Sequence, residues 1–232
     1  MNLEVLEKKL KPMIEAEKWN SISGYSNGLS EEFIEKYADK IEWNILSQTQ
    51  KLSESFIEKH LYRFISLKFL IMKQKLSESF IEKHVECEIS EYWILVFLYQ
   101  KISDRFSNKY ARYVNWKRIS GIYSLKEEFV ERYSDKLNWK RMSINRKLSE
   151  SLIEQYLDKL DCERILKARK LSESFIEKHQ DKLNWRLISL YQKISKEFII
   201  RNKNKIDWKI IEHNIYVSFD EELETLYKLY VV

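Results

Sequence analysis

The residues of this chain with the most capacity for chemistry are its lysines and arginines, because they recur in close pairs. Lys117 and Arg118, Lys140 and Arg141, Arg146 and Lys147, Arg164 and Lys167, and Arg169 and Lys170 succeed one another along its middle. Between Arg105 and Lys170 there are 17 Lys/Arg against 9 Asp/Glu, net +8, while the rest carries 24 against 27, net −3. Equivalent positions of stacked repeats project from one face, so these cations can form a ribbon that binds phosphate, nucleic acid or a nucleotide. Cations near helix C-termini also suit the helix dipole and favour solubility, and both readings stay open at this point.

Other candidate groups read as structural. Glu54 and Glu58, like Glu78 and Glu82, have the i,i+4 spacing of paired carboxylates on a helix, the arrangement acid/base catalysis uses. They recur in unit after unit, which marks a solvated face complementary to helix dipoles. His60, His84 and His179 share a slot with Tyr37, Tyr110, Tyr133, Tyr156 and Asn202. Tyr or Asn would rarely replace a metal ligand, so the slot reads as a partly buried side chain bonding to the next repeat. His213 has no Cys or second His at metal spacing. Three glycines could scarcely build phosphate or nucleophile loops, and no G-x-S-x-G, H-E-x-x-H or C-x-x-C occurs. The expectation is a non-catalytic protein without cofactor or metal.

The elements that place these residues come from repetition. Leu-Ser-Glu-Ser-Phe-Ile-Glu-Lys-His stands identically at 52–60, 76–84 and 171–179, and degenerate copies start at Leu29, Ile102, Leu125, Leu148, Ile194 and Phe219. The steps between starts run from 23 to 26 residues, a solenoid period. Each unit parses into two short helices, A and B. Ser53 is a candidate N-cap for A with Leu52 stapled to Ile57, and Asn138 caps B with Leu137 stapled to Met142. Leu29, Phe33, Ile34, Tyr37 and Ile41 form one apolar stripe in A, and Trp185, Ile188 and Tyr191 one in B.

All seven tryptophans fall in one slot at the start of B, where Leu67 and Cys162 stand in the remaining units. A slot that accepts Leu and Cys is a packing slot, which makes Cys162 a small hydrophobe rather than a nucleophile. The sequence therefore predicts an all-α, right-handed-type α/α solenoid of about nine helix-turn-helix repeats. It would be one domain, with an N-terminal cap over 1–18, repeats over 19–218 and a capping helix over 219–232.

Composition agrees. A single Pro and three Gly disfavour hairpins, and 44% hydrophobic with 33% charged residues disfavours disorder. The apolar run Tyr92–Tyr99 is too short to span a bilayer, the N-terminus lacks signal-peptide character, and two cysteines suit a reducing compartment. A cytoplasmic protein of a host cell, without membrane contact, is the expectation.

A second departure from uniformity is apolar. Leu67 to Met72 and Trp93 to Tyr99 are apolar nearly all round, and such helices need cover on every face. Either the insert Val85–Ser90 folds over them or a partner does, which makes Phe69, Leu70, Met72, Leu95, Phe97 and Leu98 candidates for contact with a host protein or a second copy.

The phrase L-S-E-x-F-I-E-K-H followed by D-K-L-N-W, clearest from Leu171 to Trp185, resembles the roughly 23-residue helical repeat of giant DNA virus and bacteriophage proteins. That resemblance covers about 19–219. It implies a viral or phage origin and, by association, a role in capturing or blocking host factors, those of defence among them, and it brings no catalytic residues with it.

Overall fold

The computed structural model describes residues 2–231 and is all-α, with no strand among the described residues. The chain forms two compact units, Met1–Asn115 and Trp116–Val232. Unit 1 holds α1 (Leu3–Glu15), α2 (Trp19–Ser23), α3 (Glu31–Lys36), α4 (Trp43–Thr49), α5 (Glu54–Lys59), α6 (Leu67–Lys73), α7 (Glu78–His84), α8 (Ser90–Tyr99) and α9 (Asp104–Tyr110). Unit 2 holds α10 (Trp116–Ile119), α11 (Glu127–Arg132), α12 (Trp139–Met142), α13 (Glu150–Gln155), α14 (Cys162–Ala168), α15 (Glu173–Lys178), α16 (Trp185–Tyr191), α17 (Lys196–Arg201), α18 (Trp208–Ile211) and α19 (Glu221–Val231). From α2 onward, even numbers are B helices and odd numbers are A helices. The helices pack as repeats: α4 lies between α2 and α6, α6 meets α8, and α16 lies between α14 and α18.

Local chemistry sets the A helices. Ser53 accepts the Phe56 N–H at 3.2 Å, and Ser30, Ser77, Ser103, Ser149, Ser172 and Ser195 cap their helices in the same way. Six- or seven-residue helices are unstable alone, so burial must hold them. Phe33, Ile34, Ile57, Ile81, Ile153, Ile176 and Phe198 are essentially fully buried, each worth roughly 2 kcal/mol. The residue three past the tryptophan slot is the innermost of each B helix: Leu46, Leu70, Val96, Ile119, Met142 and Ile188 are all 0% exposed.

The tryptophan slot is mainly core, with Trp43, Trp93, Trp139 and Trp208 buried and Trp19, Trp116 and Trp185 half-buried. Trp93 stacks on Tyr110 at 4.4 Å and Trp139 on Tyr156 at 3.8 Å between ring centroids. Cys162 is half-buried in this slot, and burial pushes its thiol pKa up, away from nucleophile chemistry.

The acidic face is solvated, as expected, and is also a joint: Glu58 and Glu82 are exposed. The first-turn carboxylate of one A helix accepts the backbone N–H of the serine cap on the next: Glu31 from Ser53 and Glu78 from Ser103, both at 2.5 Å, in unit 1. In unit 2, Glu150 accepts from Ser172 and Glu173 from Ser195, also at 2.5 Å. A second carboxylate one turn later, Glu35, binds Lys59 and His60 at 2.7 Å, and Glu58 binds Lys83 and His84 in the same way. The His and Tyr tips therefore bond backward to the preceding repeat, not forward to the next as the sequence suggested. Carboxylates at helix N-termini suit the dipole whether or not they reach a neighbour, so the sequence pattern did not separate the two cases.

B helices have their own joints. Ser23, Ser120, Ser143 and Ser189 each accept an N–H at 2.7–3.0 Å from the residue preceding the next B helix. In unit 1 a buried glutamine closes each repeat. Gln74 accepts the Leu52 N–H at 3.0 Å and donates to the Ser47 carbonyl at 3.0 Å and the Gln50 carbonyl at 2.7 Å. Gln50 and Gln100 make the equivalent three-bond bridge.

Candidate functional site

At 3.6 residues per turn, the positions one, two and five residues past the tryptophan slot share one arc of a B helix, opposite the innermost residue. The second-position column changes along the chain. It reads Ile45, Phe69 and Leu95 in unit 1, all half-buried, and Arg118, Arg141 and Arg164 in unit 2, all exposed. Lys117 and Lys140 stand beside these arginines at the first position, and Lys167 follows Arg164 at the fifth. Residues 116–170 contain 14 Lys/Arg and 9 Asp/Glu, a surplus of +5 that equals the formal charge of the whole chain.

The ten expected cations differ in what surrounds them. Lys117, Lys140, Arg141, Arg146 and Lys147 are exposed, and among the described residues they form no ion pair. Arg118 is also exposed. Arg164 and Lys167 are exposed and loosely tied within their own helix, to Asp161 at 3.3 Å and Glu163 at 3.9 Å, geometry worth little in water. Lys170 donates to the Tyr191 carbonyl and lies 4.4 Å from the centre of the Tyr216 ring. Arg169 is half-buried, so the ribbon loses it.

Arg169 stands where Gln50, Gln74, Gln100 and Gln192 stand in other repeats, three residues before the A-helix cap. Arginine has no acceptor for the leucine N–H that glutamine takes. Its Nε and Nη1 are buried without a partner. Burial holds its pKa below the ordinary arginine value, against the pull of the Glu150 and Glu127 carboxylates.

The same column is altered in the two repeats before it. Tyr123 and Arg146 occupy it, and both are exposed, Tyr123 at 62%. Asn145, one residue earlier, takes over part of the bridge by donating to the Leu125 carbonyl at 3.1 Å and accepting the Lys147 N–H at 3.0 Å. The Arg146 N–H donates to the Tyr123 carbonyl at 2.9 Å, which pins the backbone under that ring. Gly121 leaves room for the neighbouring guanidinium, because a Cβ there would stand 2.9 Å from Arg141 Nη2. Sequence reasoning missed Tyr123, Gly121 and the glutamine bridges. The recurrence of Gln three residues before the serine caps was the available signal.

The expected apolar interface changes more. Leu70, at 0% exposure, and Phe97, at 4%, are core residues and cannot contact a partner in the folded chain. Leu70 is the innermost residue of α6, and Phe97 lies in the column where Ser47 and Ser120 face neighbouring B helices. Phe69, Met72, Leu95 and Leu98 are half-buried along the outward arc. The cover for α6 comes from α4 and α8 in the same stack. Val85–Ser90 instead leads into α8, with the Glu86 carbonyl accepting the Trp93 indole N–H at 3.2 Å and Glu86, Cys87 and Glu88 exposed.

Surface depressions include one of about 410 Å³ beside Lys196 and Tyr216 and one of about 480 Å³ beside Trp19 and Lys40. Among the described residues no group of three His, Cys, Asp or Glu is placed to hold a metal ion, and no helix is long and apolar enough to cross a membrane. No family model, curated protein or solved structure matches the chain. What the fold and site define is a class: an all-helical repeat protein with a basic outer arc.

Proposed function

We propose that this is a non-catalytic binding protein whose 116–170 stretch holds a polyanionic partner on the outer arc of α10, α12 and α14. One observation carries the reading. Some cations elsewhere join repeats, as Lys36 does through Glu7, Lys59 through Glu35 and Lys109 through Glu82, and others, such as Lys51, Lys68, Lys73 and Lys101, form no ion pair among the described residues. Lys117, Lys140, Arg141, Arg146 and Lys147 also serve no such joint, but they fall in a stretch with 14 Lys/Arg against 9 Asp/Glu, so the charge there is left unbalanced. A local surplus of exposed cations attracts polyanions by releasing counterions, which makes binding steeply salt-dependent. Retention on inorganic polyphosphate or heparin, measured against salt, tests it: the triple variant Lys117→Glu, Lys140→Glu, Arg141→Glu should elute at much lower salt. Equal retention of variant and parent would sink the reading.

A second reading concerns unit 1, where Ile45, Phe69, Met72, Leu95 and Leu98 keep large apolar side chains on the outward arc of α4, α6 and α8. It is capture of a protein, and the resemblance of the repeat phrase to virus and phage proteins makes a host factor the candidate. Phe69→Glu with Leu95→Glu, if folded, should abolish co-purification of that protein. Unchanged co-purification and unchanged mass in solution would remove this reading.

A further inference from the structure

We infer that the polyanion held by residues 116–170 is single-stranded nucleic acid, with Tyr123 as the platform on which a base stacks. This rests on the polyanion reading and goes further, because two columns change chemistry in the same three repeats. The outward column turns from Ile45, Phe69 and Leu95 to Arg118, Arg141 and Arg164. The bridging column turns from Gln50, Gln74 and Gln100 to Tyr123, Arg146 and Arg169. The second change gives up the glutamine bridge, only part of which Asn145 replaces, and a need for positive charge alone does not explain a tyrosine in that column.

Arg169 turns inward, but the other two residues gained, Tyr123 and Arg146, are exposed and have a common use. Guanidinium groups take phosphate oxygens two at a time and stack on flat rings, and an exposed tyrosine offers a face to any unpaired base. Tyr123 is 62% exposed, and its ring has no aromatic neighbour among the described residues. The backbone that carries it is nonetheless held. The Arg146 N–H holds its carbonyl at 2.9 Å, and Asn145 holds the Leu125 carbonyl at 3.1 Å just beyond it. Arg146, whose backbone makes that bond, and Lys147 after it are both exposed and without ion pairs among the described residues, so cations for the phosphates stand in the repeat next to the tyrosine. A duplex hides its base faces, and an acidic protein gives Tyr123 nothing to stack on, so an unpaired strand is the partner that uses both columns.

The test compares a labelled oligothymidylate, a duplex of the same length and inorganic polyphosphate, each titrated against the full chain and its Tyr123→Ala and Tyr123→Phe variants. Circular dichroism checks the fold, which an exposed side chain should not disturb. The single strand should bind tightest, Tyr123→Ala should weaken it about tenfold, as loss of one stacked base does, and Tyr123→Phe should restore binding. Polyphosphate and duplex affinities should not move with Tyr123. If all three polyanions bind alike and Tyr123→Ala is silent, the single-strand assignment fails while the polyanion reading stands. Absence of binding to any of them overturns both.

Discussion

The two compact units are built from one brick yet differ in what they do with the same columns. Unit 1 carries 17 Lys/Arg and 17 Asp/Glu, keeps the buried Gln50 and Gln74 and the half-buried Gln100 as bridges, and presents aliphatic or aromatic side chains outward. Unit 2 concentrates the chain's positive charge in 116–170 and interrupts the bridging column three times before Gln192 restores it. Joints between A helices are alike in both. The difference teaches that the A layer sets the stack, while the B layer is free to vary in chemistry wherever a joint can be relaxed.

The largest expected effect breaks the intact bridge. Gln74→Leu removes the acceptor for the Leu52 N–H and the donor to the Ser47 and Gln50 carbonyls, leaving buried backbone groups unpaired. It should cost about 3 kcal/mol, read from the urea midpoint. Asn145→Leu, whose side chain makes two bonds, should cost roughly half as much. Equal losses would mean that the altered column of unit 2 bridges as well as that of unit 1.

Next in size is a gain. Arg169→Gln should restore an acceptor toward Leu148 and remove a buried, unpaired guanidinium, stabilising the chain by about 1 to 2 kcal/mol. A lower melting temperature would show that the guanidinium has a favourable role which its surroundings do not reveal.

Acid tests the joint common to both units. Hydrogen bonds from a neighbouring lysine and imidazole hold Glu35 and Glu58 in unit 1, and Glu154 in unit 2, below the ordinary carboxylate value of 4.5: Lys59 and His60 beside the first, Lys83 and His84 beside the second, Lys178 and His179 beside the third. A carboxylate lowered on folding contributes stability that is complete above its unfolded-state pKa and is lost as pH falls through its folded-state value. Denaturation midpoints should therefore be level above about pH 5 and decline below the carboxylate range. Glu58→Gln should flatten that decline, and an unchanged slope would show that Glu58 contributes nothing to it.

The smallest expected effect on stability carries functional weight. Lys140→Glu alters an exposed, unpaired side chain and should shift unfolding by less than about 0.5 kcal/mol while reducing the salt dependence of polyanion binding.

Much of the fold was legible. The serine caps, the tryptophan slot and the alternation of A with B follow from repetition together with capping chemistry. Legibility failed where one residue type satisfies two environments. Glu54 suits a helix N-terminus whether it faces water or takes the Ser77 N–H, as it does. The apolar run around Leu70 and Phe97 looked like an uncovered surface because a stacked helix is covered by neighbours on two flanks as well as by the A layer, leaving only a narrow arc open. The basic pairs were visible, but the loss of Arg169 to the interior and the gain of Tyr123 needed the bridging column to be recognised.

The joint from a first-turn glutamate to the following serine cap asks nothing of either partner beyond the shared phrase itself. Copies of that phrase can therefore be added or deleted whole, each new brick arriving with both halves of its own fastening. A lineage can then lengthen or shorten such a protein in steps of one repeat while the outward side chains drift toward a different ligand, since the fastening and the recognition letters occupy separate columns.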